Sequence, residues 1–342
     1  MKASQRKDGR WECKGVEPVT GRRISYYGKT EAEALRKASG ESLDTLIGYY
    51  ENVYLPTVRM RSQNYRLQIS WAFDQWIAPE FGDTNLVDID RVAIQRFFNG
   101  VKGLKPISMR HVRNVLRAIL GLAEDDGLIP KNPVLKVRLP AIQSKEIRTF
   151  ALAELKHLMA SAKHHKPLIL LLGGAGLRVG EACAAQWPKA GVLSVRQQII
   201  QVPGQVYLSP NLKTANAYRD IPLPFLTELG EPRVWICEGR KGGYMTPCGA
   251  EWALKQACMW ADLEPIGPHA MRHSFITAME NELEAPRRVV QALVGHAGKE
   301  ITDGYSKVSL EAKNRWMQRF HNSTGFVVHS DDKEKLGEAI QA

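Results

Sequence analysis

Little in this sequence points to a membrane or to the outside of a cell. It has no run of about 18 apolar residues, so no segment reads as a transmembrane span. Its first residues, MKASQRKDGRWE, contain no apolar stretch, which argues against a secretory signal. The five cysteines, Cys13, Cys183, Cys237, Cys248 and Cys258, are odd in number, and no two stand in CxxC spacing. That argues against a disulfide framework and against a structural zinc site, and favours reduced thiols in a cytoplasmic protein. No Walker loop occurs, the carboxylates form no two-metal cluster, and there is no internal repeat or low-complexity tract.

Positive charge is what the chain has in excess. Lys and Arg number 47 against 36 Asp and Glu, a formal charge of +11. Such a balance favours a polyanionic partner, because phosphate contacts release condensed counterions. An anionic membrane surface fits it as well. A length of 342 residues implies two or three domains.

The expected architecture is α+β and multidomain. Residues 1–40 read as a small sheet, DGRWECKG and GRRISYYGKT joined by turns at Glu17–Gly21, followed by a short helix, EAEALRKA, capped by Thr30. Bases outnumber acids there, with Arg10, Arg22 and Arg23 as candidate DNA contacts. Residues 41–140 read as all-helical. Ser42 caps LDTLIGYYENVYLP, which Pro56 ends, and a second helix runs to Pro79 and Gly82. DIDRVAIQRFFNGV is a third, and Ser108 starts a fourth that Gly127 stops. In that fourth helix Arg110, Arg113 and Arg117 share one face while Val112, Val115, Leu116, Ile119 and Leu122 form the other. The arginine face suits either phosphates or plain solvation. Residues 131–150, with two prolines and no period, read as extended, and 141–150 as an interdomain linker that would let two domains close around a duplex. Residues 151–325 read as a mixed, mainly helical domain with a small antiparallel sheet from GVLSV, QQIIQV and YRDIPLP. Residues 326–342 form a tail.

Five separated segments carry groups suited to a phosphodiester. In GLRVGE, Gly176 and Gly180 bracket Arg178 at a helix start, where backbone N–H groups also favour an anion, and Glu181 lies one turn on. A helix-start salt bridge accounts for this pair equally well. Lys213 sits in a turn between strands, as a flexible cation or a merely solvated one. In PHAMRHS, His269, Arg272 and His273 fall at i, i+3 and i+4 on one helix face, a costly cluster unless an anion or carboxylate joins it. His296 follows Gly295 at a helix end, and Tyr305 lies nine residues further on.

Singly, each has a structural explanation. In order and spacing they resemble the tyrosine recombinase or phage integrase family, whose signature runs Arg, Lys, His-x-x-Arg, His or Trp, Tyr. GLRVGE resembles its first arginine box, PHAMRH its His-x-x-Arg-His box, and LVGHAGKEITDGY its Gly-His followed by the nucleophilic tyrosine. The likeness covers about residues 150–320. The helical segment before it resembles the family's core-binding domain, and residues 1–40 an arm-type DNA-binding domain.

The resemblance implies roles. Tyr305 attacks the scissile phosphate and forms a 3′-phosphotyrosine. Arg178 and Arg272 hold the non-bridging oxygens, Lys213 protonates the departing 5′-oxygen, His269 accepts the Tyr305 proton, and His296 bonds the phosphate. Glu181 and His273 orient these groups, and Arg219 contacts the DNA backbone. It also implies no cofactor, metal or ATP. The partners are double-stranded attachment sites, a homotetramer on synapsed DNA with the 326–342 tail as a subunit contact, and accessory DNA-bending and directionality proteins. The arm-like segment favours an integrase of a phage, genomic island or conjugative element, acting in the bacterial cytoplasm at the nucleoid. A type IB topoisomerase or a non-catalytic DNA-binding regulator on the same fold are the alternatives.

Overall fold

A computed structural model describes residues 3–6, 8–16, 23–28, 31, 43–142, 146–162, 164–240, 242–296 and 308–325. The chain divides into two units, residues 1–144 and 145–342.

In the first unit, strands β1 (Ala3–Gln5), β2 (Trp11–Val16) and β3 (Arg23–Gly28) pair antiparallel in that order. Cys13 is buried among Ala3, Trp11 and Tyr26. Arg6 and Arg10 lie over the Tyr27 ring, 5.3 and 6.0 Å from its centroid. The Glu17–Gly21 turns, Arg22, Thr30 and, apart from Glu31, the EAEALRKA helix lie outside the described residues.

Helix α1 begins as Leu46–Tyr49, capped by Thr45, whose hydroxyl accepts from the Gly48 N–H at 3.3 Å. The cap expected at Ser42 lies outside the described residues. Pro56 does not end this helix: α1 widens into a π turn at Tyr50–Tyr54 and continues as Leu55–Val58. Helix α2 does the same around Pro79, running Gln63–Ala72, a π turn at Phe73–Ile77, then Ala78–Phe81. A helical proline lacks an N–H and presses on the carbonyl four residues back. A wider turn just before it relieves both problems. The Tyr50 and Phe73 rings stack at 3.5 Å and pin the two π turns together. Helix α3 (Arg91–Gly100) is capped by Asp90, and α4 (Pro106–Asp125) starts at Pro106 rather than Ser108, since proline suits the first position of a helix. Val112, Val115, Leu116, Ile119 and Leu120 of α4 close the core against Tyr49, Ile69 and Phe98.

The stretch expected to be extended from 131 to 150 is not free at either end. Pro133–Lys136 makes a 3₁₀ turn capped by Asn132, and Val134 and Val137 enter the helical core. Phe150 is fully buried in the second unit.

The second unit has at its centre helix α6, Lys166–Ile169 continuing as a π turn at Leu170–Gly174. Leu168 to Leu172 are buried on every side, as an all-apolar helix must be. Around it lie α5 (Leu152–Ser161), α7 (Val179–Cys183), α8 (Pro247–Trp260), α9 (Pro268–Thr277, with a π turn at Ala278–Glu282), α10 (Arg287–Val294) and α11 (Leu310–Ser323). Helix α7 is shorter than RVGEACAAQW suggests. Strand β4 (Val192–Val195) pairs with β7 (Arg219–Pro222), and β5 (Gln198–Val202) with β6 (Gln205–Ser209), both antiparallel. Strand β6 gives no pattern to read, since Leu208 is exposed and Ser209 buried. No helix among the described residues is long and apolar enough to cross a membrane.

Candidate active site

The candidate residues gather at the C-terminus of α10. A helix ends in carbonyls without intrahelical partners, at the negative pole of its dipole. Arginines from elsewhere take two of these. Arg272 Nη2 donates to Val294 O and Arg219 Nε to Leu293 O, each at 2.6 Å. Arg272 Nη1 also donates to Gly176 O at 2.7 Å. One guanidinium therefore ties the segment entering Arg178 to the segment entering His296. Both segments turn on glycine. Gly176 has φ +64° and Gly295 φ +72°, and a Cβ would stand 2.5 Å from Phe275 Cδ1 at the first and 2.7 Å from Asn216 O at the second.

Arg178 sits at the N-cap of α7, with 27% of its side chain exposed. Glu181 Oε1 accepts from Arg178 Nη1 at 2.7 Å, while its Oε2 accepts from the Arg178 backbone N–H at 3.1 Å and from Arg219 Nη2 at 2.8 Å. The helix-start salt bridge is therefore real, and Glu181 orients Arg178 from a buried position. Burial alone would raise the Glu181 pKa, but Arg219 and Arg178 outweigh it and hold the carboxyl below its usual range.

Arg219 departs from expectation. It is 5% exposed, and its guanidinium is bonded to Leu293 O, Glu181 and Ala217 O. It lies in the interior, with Nε, Nη1 and Nη2 each already bonded to a protein partner. The sequence carried a signal for this: Arg219 stands two residues before buried Ile221, so on a strand both face the core.

Arg272 is 1% exposed. Burial first, then the charges of Arg178 and Arg219, bring its pKa down to about 9, with Glu181 opposing. Three cations, Arg178, Arg219 and Arg272, thus face one anion, Glu181. The excess of positive charge in a poorly hydrated setting favours an anionic ligand.

Two histidine segments border this excess. On α9 the His269 and His273 Nε2 atoms are 3.1 Å apart, with the rings edge to face at 4.5 Å. Burial, then His273, Arg272, Arg178 and Lys213, lower the His269 pKa. His296 follows Gly295, and its backbone N–H donates to Gln291 O at 3.1 Å. Burial, then Arg272, Arg178, His273 and Arg219, push it down to about 4. Its imidazole is therefore neutral at pH 7, able to donate one N–H and to accept at the other nitrogen. Lys213 is exposed in the β6–β7 connection, and its charge is felt at His269.

Tyr305 lies outside the described residues, as does the 326–342 tail. The chain is described again from Val308, and Lys313 Nζ on α11 donates to Asp220 O of β7 at 3.1 Å. Asp220 itself is held by Arg196 at 2.8 Å and by Ser194 Oγ at 2.7 Å. Sequence reasoning passed over Lys313, which has no motif around it.

Of the other basic candidates, Arg110 and Arg117 are exposed on α4, whereas Arg113 is half-buried with Nη2 on Asn114 Oδ1 at 3.3 Å. Arg10, paired with Asp8 at 2.9 Å, and Arg23 are exposed. Among the described residues, no group of three His, Cys, Asp or Glu is placed to hold a metal ion.

Residues 143–311 match the phage integrase family. The chain is 26% identical over 258 residues to the tyrosine recombinase XerC of Pediococcus pentosaceus, covering 70% of this chain and 85% of that protein. It is 24% identical over 290 residues to XerD of Haemophilus influenzae, covering 76% and 91%. Its fold resembles that of the Tn1549 transposon integrase solved with a circular intermediate DNA, with a TM-score of 0.63 at 18% identity, covering 80% of this chain and 99% of that one. It also resembles a lambda integrase tetramer bound to a Holliday junction, with a TM-score of 0.57 at 18% identity, covering 90% and 98%.

Proposed function

Through residues 143–311 the chain belongs to the phage integrase family of tyrosine recombinases, and from that premise we propose that it cuts and rejoins DNA at specific sites through Tyr305, to integrate or excise a mobile element. The observation that carries this reading is the buried excess of arginine charge, assembled from three distant segments and bordered by two neutral histidines.

A scissile phosphate meets Arg178 first, the more open of the two arginines. Arg272, already pinned by two carbonyls, offers its remaining N–H groups as charge grows on the non-bridging oxygens. Planar guanidinium forks match those oxygens better than lysine does. Because both are held before DNA arrives, little reorganisation accompanies the transition state. Neutral His296 donates its N–H to the same phosphate. His269 takes the Tyr305 proton, and Lys213 gives one to the departing 5′-oxygen. The product is a 3′-phosphotyrosine that conserves the bond energy, so strand exchange needs no ATP, and the arginines supply the charge a metal gives elsewhere.

Double-stranded attachment sites are the substrate, held by a homotetramer on two synapsed duplexes in the bacterial cytoplasm. Arg110 and Arg117 serve as phosphate contacts in a core-binding domain at 41–140, and Arg10, Arg22 and Arg23 in an arm-type domain at 1–40. Accessory bending and directionality proteins complete the assembly.

The test is covalent trapping in EDTA on nicked fragments of host and element DNA that include a verified attachment site. Wild type should give an SDS-resistant adduct at one sequence, and Tyr305→Phe none. Adducts at every sequence, with relaxation of any supercoiled plasmid, would instead indicate a topoisomerase. Tight binding with no adduct from wild type would leave a DNA-binding regulator.

A further inference from the structure

The His269–His273 contact brings together two imidazole nitrogens 3.1 Å apart, and such a pair can hold only one proton between them. One nitrogen donates and the other accepts. The edge-to-face ring geometry, with centroids 4.5 Å apart, keeps them in that relation. Both residues stand on α9 one turn apart, and that helix is fixed at this level by Arg272, which is bonded to two other segments. The pair thus faces solvent from a helix that Arg272 holds in place.

We propose that His273 is the second station of a proton relay, receiving through the Nε2–Nε2 contact the proton that His269 gives up when it takes one from the nucleophile. This rests on the reading of Tyr305 and His269 given above. In the forward step the phenol proton passes to His269 Nδ1, the phenolate oxygen bonds to phosphorus, and the 5′-oxygen leaves. The proton on His269 Nε2 moves to His273 Nε2, so the pair gains one proton and one positive charge. Rejoining runs the same path backward and returns the proton to the departing phenolate.

The reason for two stations is electrostatic. A positive charge on His269 alone would face Arg178, Arg272 and Lys213. Shared over two rings, it is less opposed by those cations. His296, which also feels His273, is neutral and adds no further opposition at pH 7.

The experiment measures single-turnover adduct formation on a nicked attachment site, with DNA binding followed in parallel. His273→Ala and His273→Gln are compared with His269→Ala, each also carrying a trifluorotyrosine at position 305. Glutamine can accept the His269 hydrogen bond but cannot carry the proton. Both His273 variants should bind DNA as wild type does and cleave about 10²-fold more slowly, the low end of the usual range for proton-transfer catalysis. The acidified phenol, which needs less help to lose its proton, should restore most of that rate. A full rate in His273→Gln would show that His273 only positions His269, and would overturn the relay. So would rescue of His269→Ala without rescue of His273→Ala. Failure of the acidified phenol to rescue His269→Ala would instead overturn His269 as the base, and adducts in Tyr305→Phe would overturn the nucleophile.

Discussion

The helical core of the first unit and the core of the second treat charge in opposite ways. Among the described residues, the first unit buries one polar side chain, Asn132, and keeps Arg110 and Arg117 outside. The second buries Glu181, Arg219, Arg272 and His321 along with Ser209, Ser274 and Thr324. Removing an ion from water costs several kcal/mol unless partners offset it. The first unit's helical core buries no whole charged side chain among its described residues, and Arg110 and Arg117 stay in solvent. The second meets that cost with helix-end carbonyls and one shared carboxylate, and gains groups fixed in place before any ligand arrives. Exposed cations and buried, fixed ones are thereby separated by how each unit handles solvation.

That contrast predicts effects of very different size. Arg272→Ala should be the most damaging substitution. It strips the donor from Gly176 O and Val294 O, at about 3–5 kcal/mol of stability by analogy with broken buried ion pairs. Adduct formation should fall by at least about 10³-fold, the upper range for losing one preorganised donor. Thermal denaturation and single-turnover trapping read the two losses separately, and a normal melting curve would contradict the anchoring role. Gly295→Ala comes next, because a Cβ meets Asn216 O at 2.7 Å and Arg219 Cδ at 3.1 Å on a left-handed backbone. About 1–3 kcal/mol of destabilisation is expected, together with a loss of cleavage exceeding that of DNA binding, since His296 and Arg219 both shift.

Third is a pH effect confined to the second unit. Burial holds His321 down to about 3, with its bond to Gly174 O opposing. In the unfolded chain a histidine titrates near about 6.5, so below that pH the unfolded state takes a proton and the folded state does not. Stability therefore falls as pH drops from about 6.5 toward 3, by up to about 1.4 kcal/mol per pH unit. His296, held near 4, adds to the slope over the upper part of that window. Denaturant titrations of His321→Gln at several pH values should show a shallower slope, and an unchanged one would mean that His321 is not held neutral. The smallest effect belongs to the first unit. Arg110→Ala with Arg117→Ala should leave stability within about 0.5 kcal/mol and lower the slope of log affinity against log salt by about one per lost phosphate contact.

What could be read in advance follows the same division. Arg178, His269, Arg272 and His296 stood out as candidates because their order and spacing resemble a family signature, and the i, i+3, i+4 spacing in PHAMRHS needs only a helix to put His269, Arg272 and His273 on one face. The direction an arginine takes was not legible. Nothing in YRDIPLP by itself says that Arg219 turns inward to cap a helix, although its two-residue spacing from Ile221 hinted at it. Prolines 56 and 79 read as stops because a helix of uniform pitch cannot pass them, and only the packed structure shows the π turns that let it. Leu208 and Ser209 hid β6 by placing the apolar residue outside and the polar one inside. Lys313 reaches a backbone carbonyl, a partner that leaves no trace in side-chain chemistry.

The cage around Arg272 also has a consequence in time. Its acceptors come from residues 176 and 294, one on each side of it in the chain, so the second bond cannot form until α10 has been synthesised. A nascent or truncated product ending before α10 would carry Arg178, Glu181, His269 and Arg272 with no carbonyls of α10 to gather them. Such a fragment would keep its cations without their fixed arrangement, so the ordered cluster is reserved for chains that extend through α10.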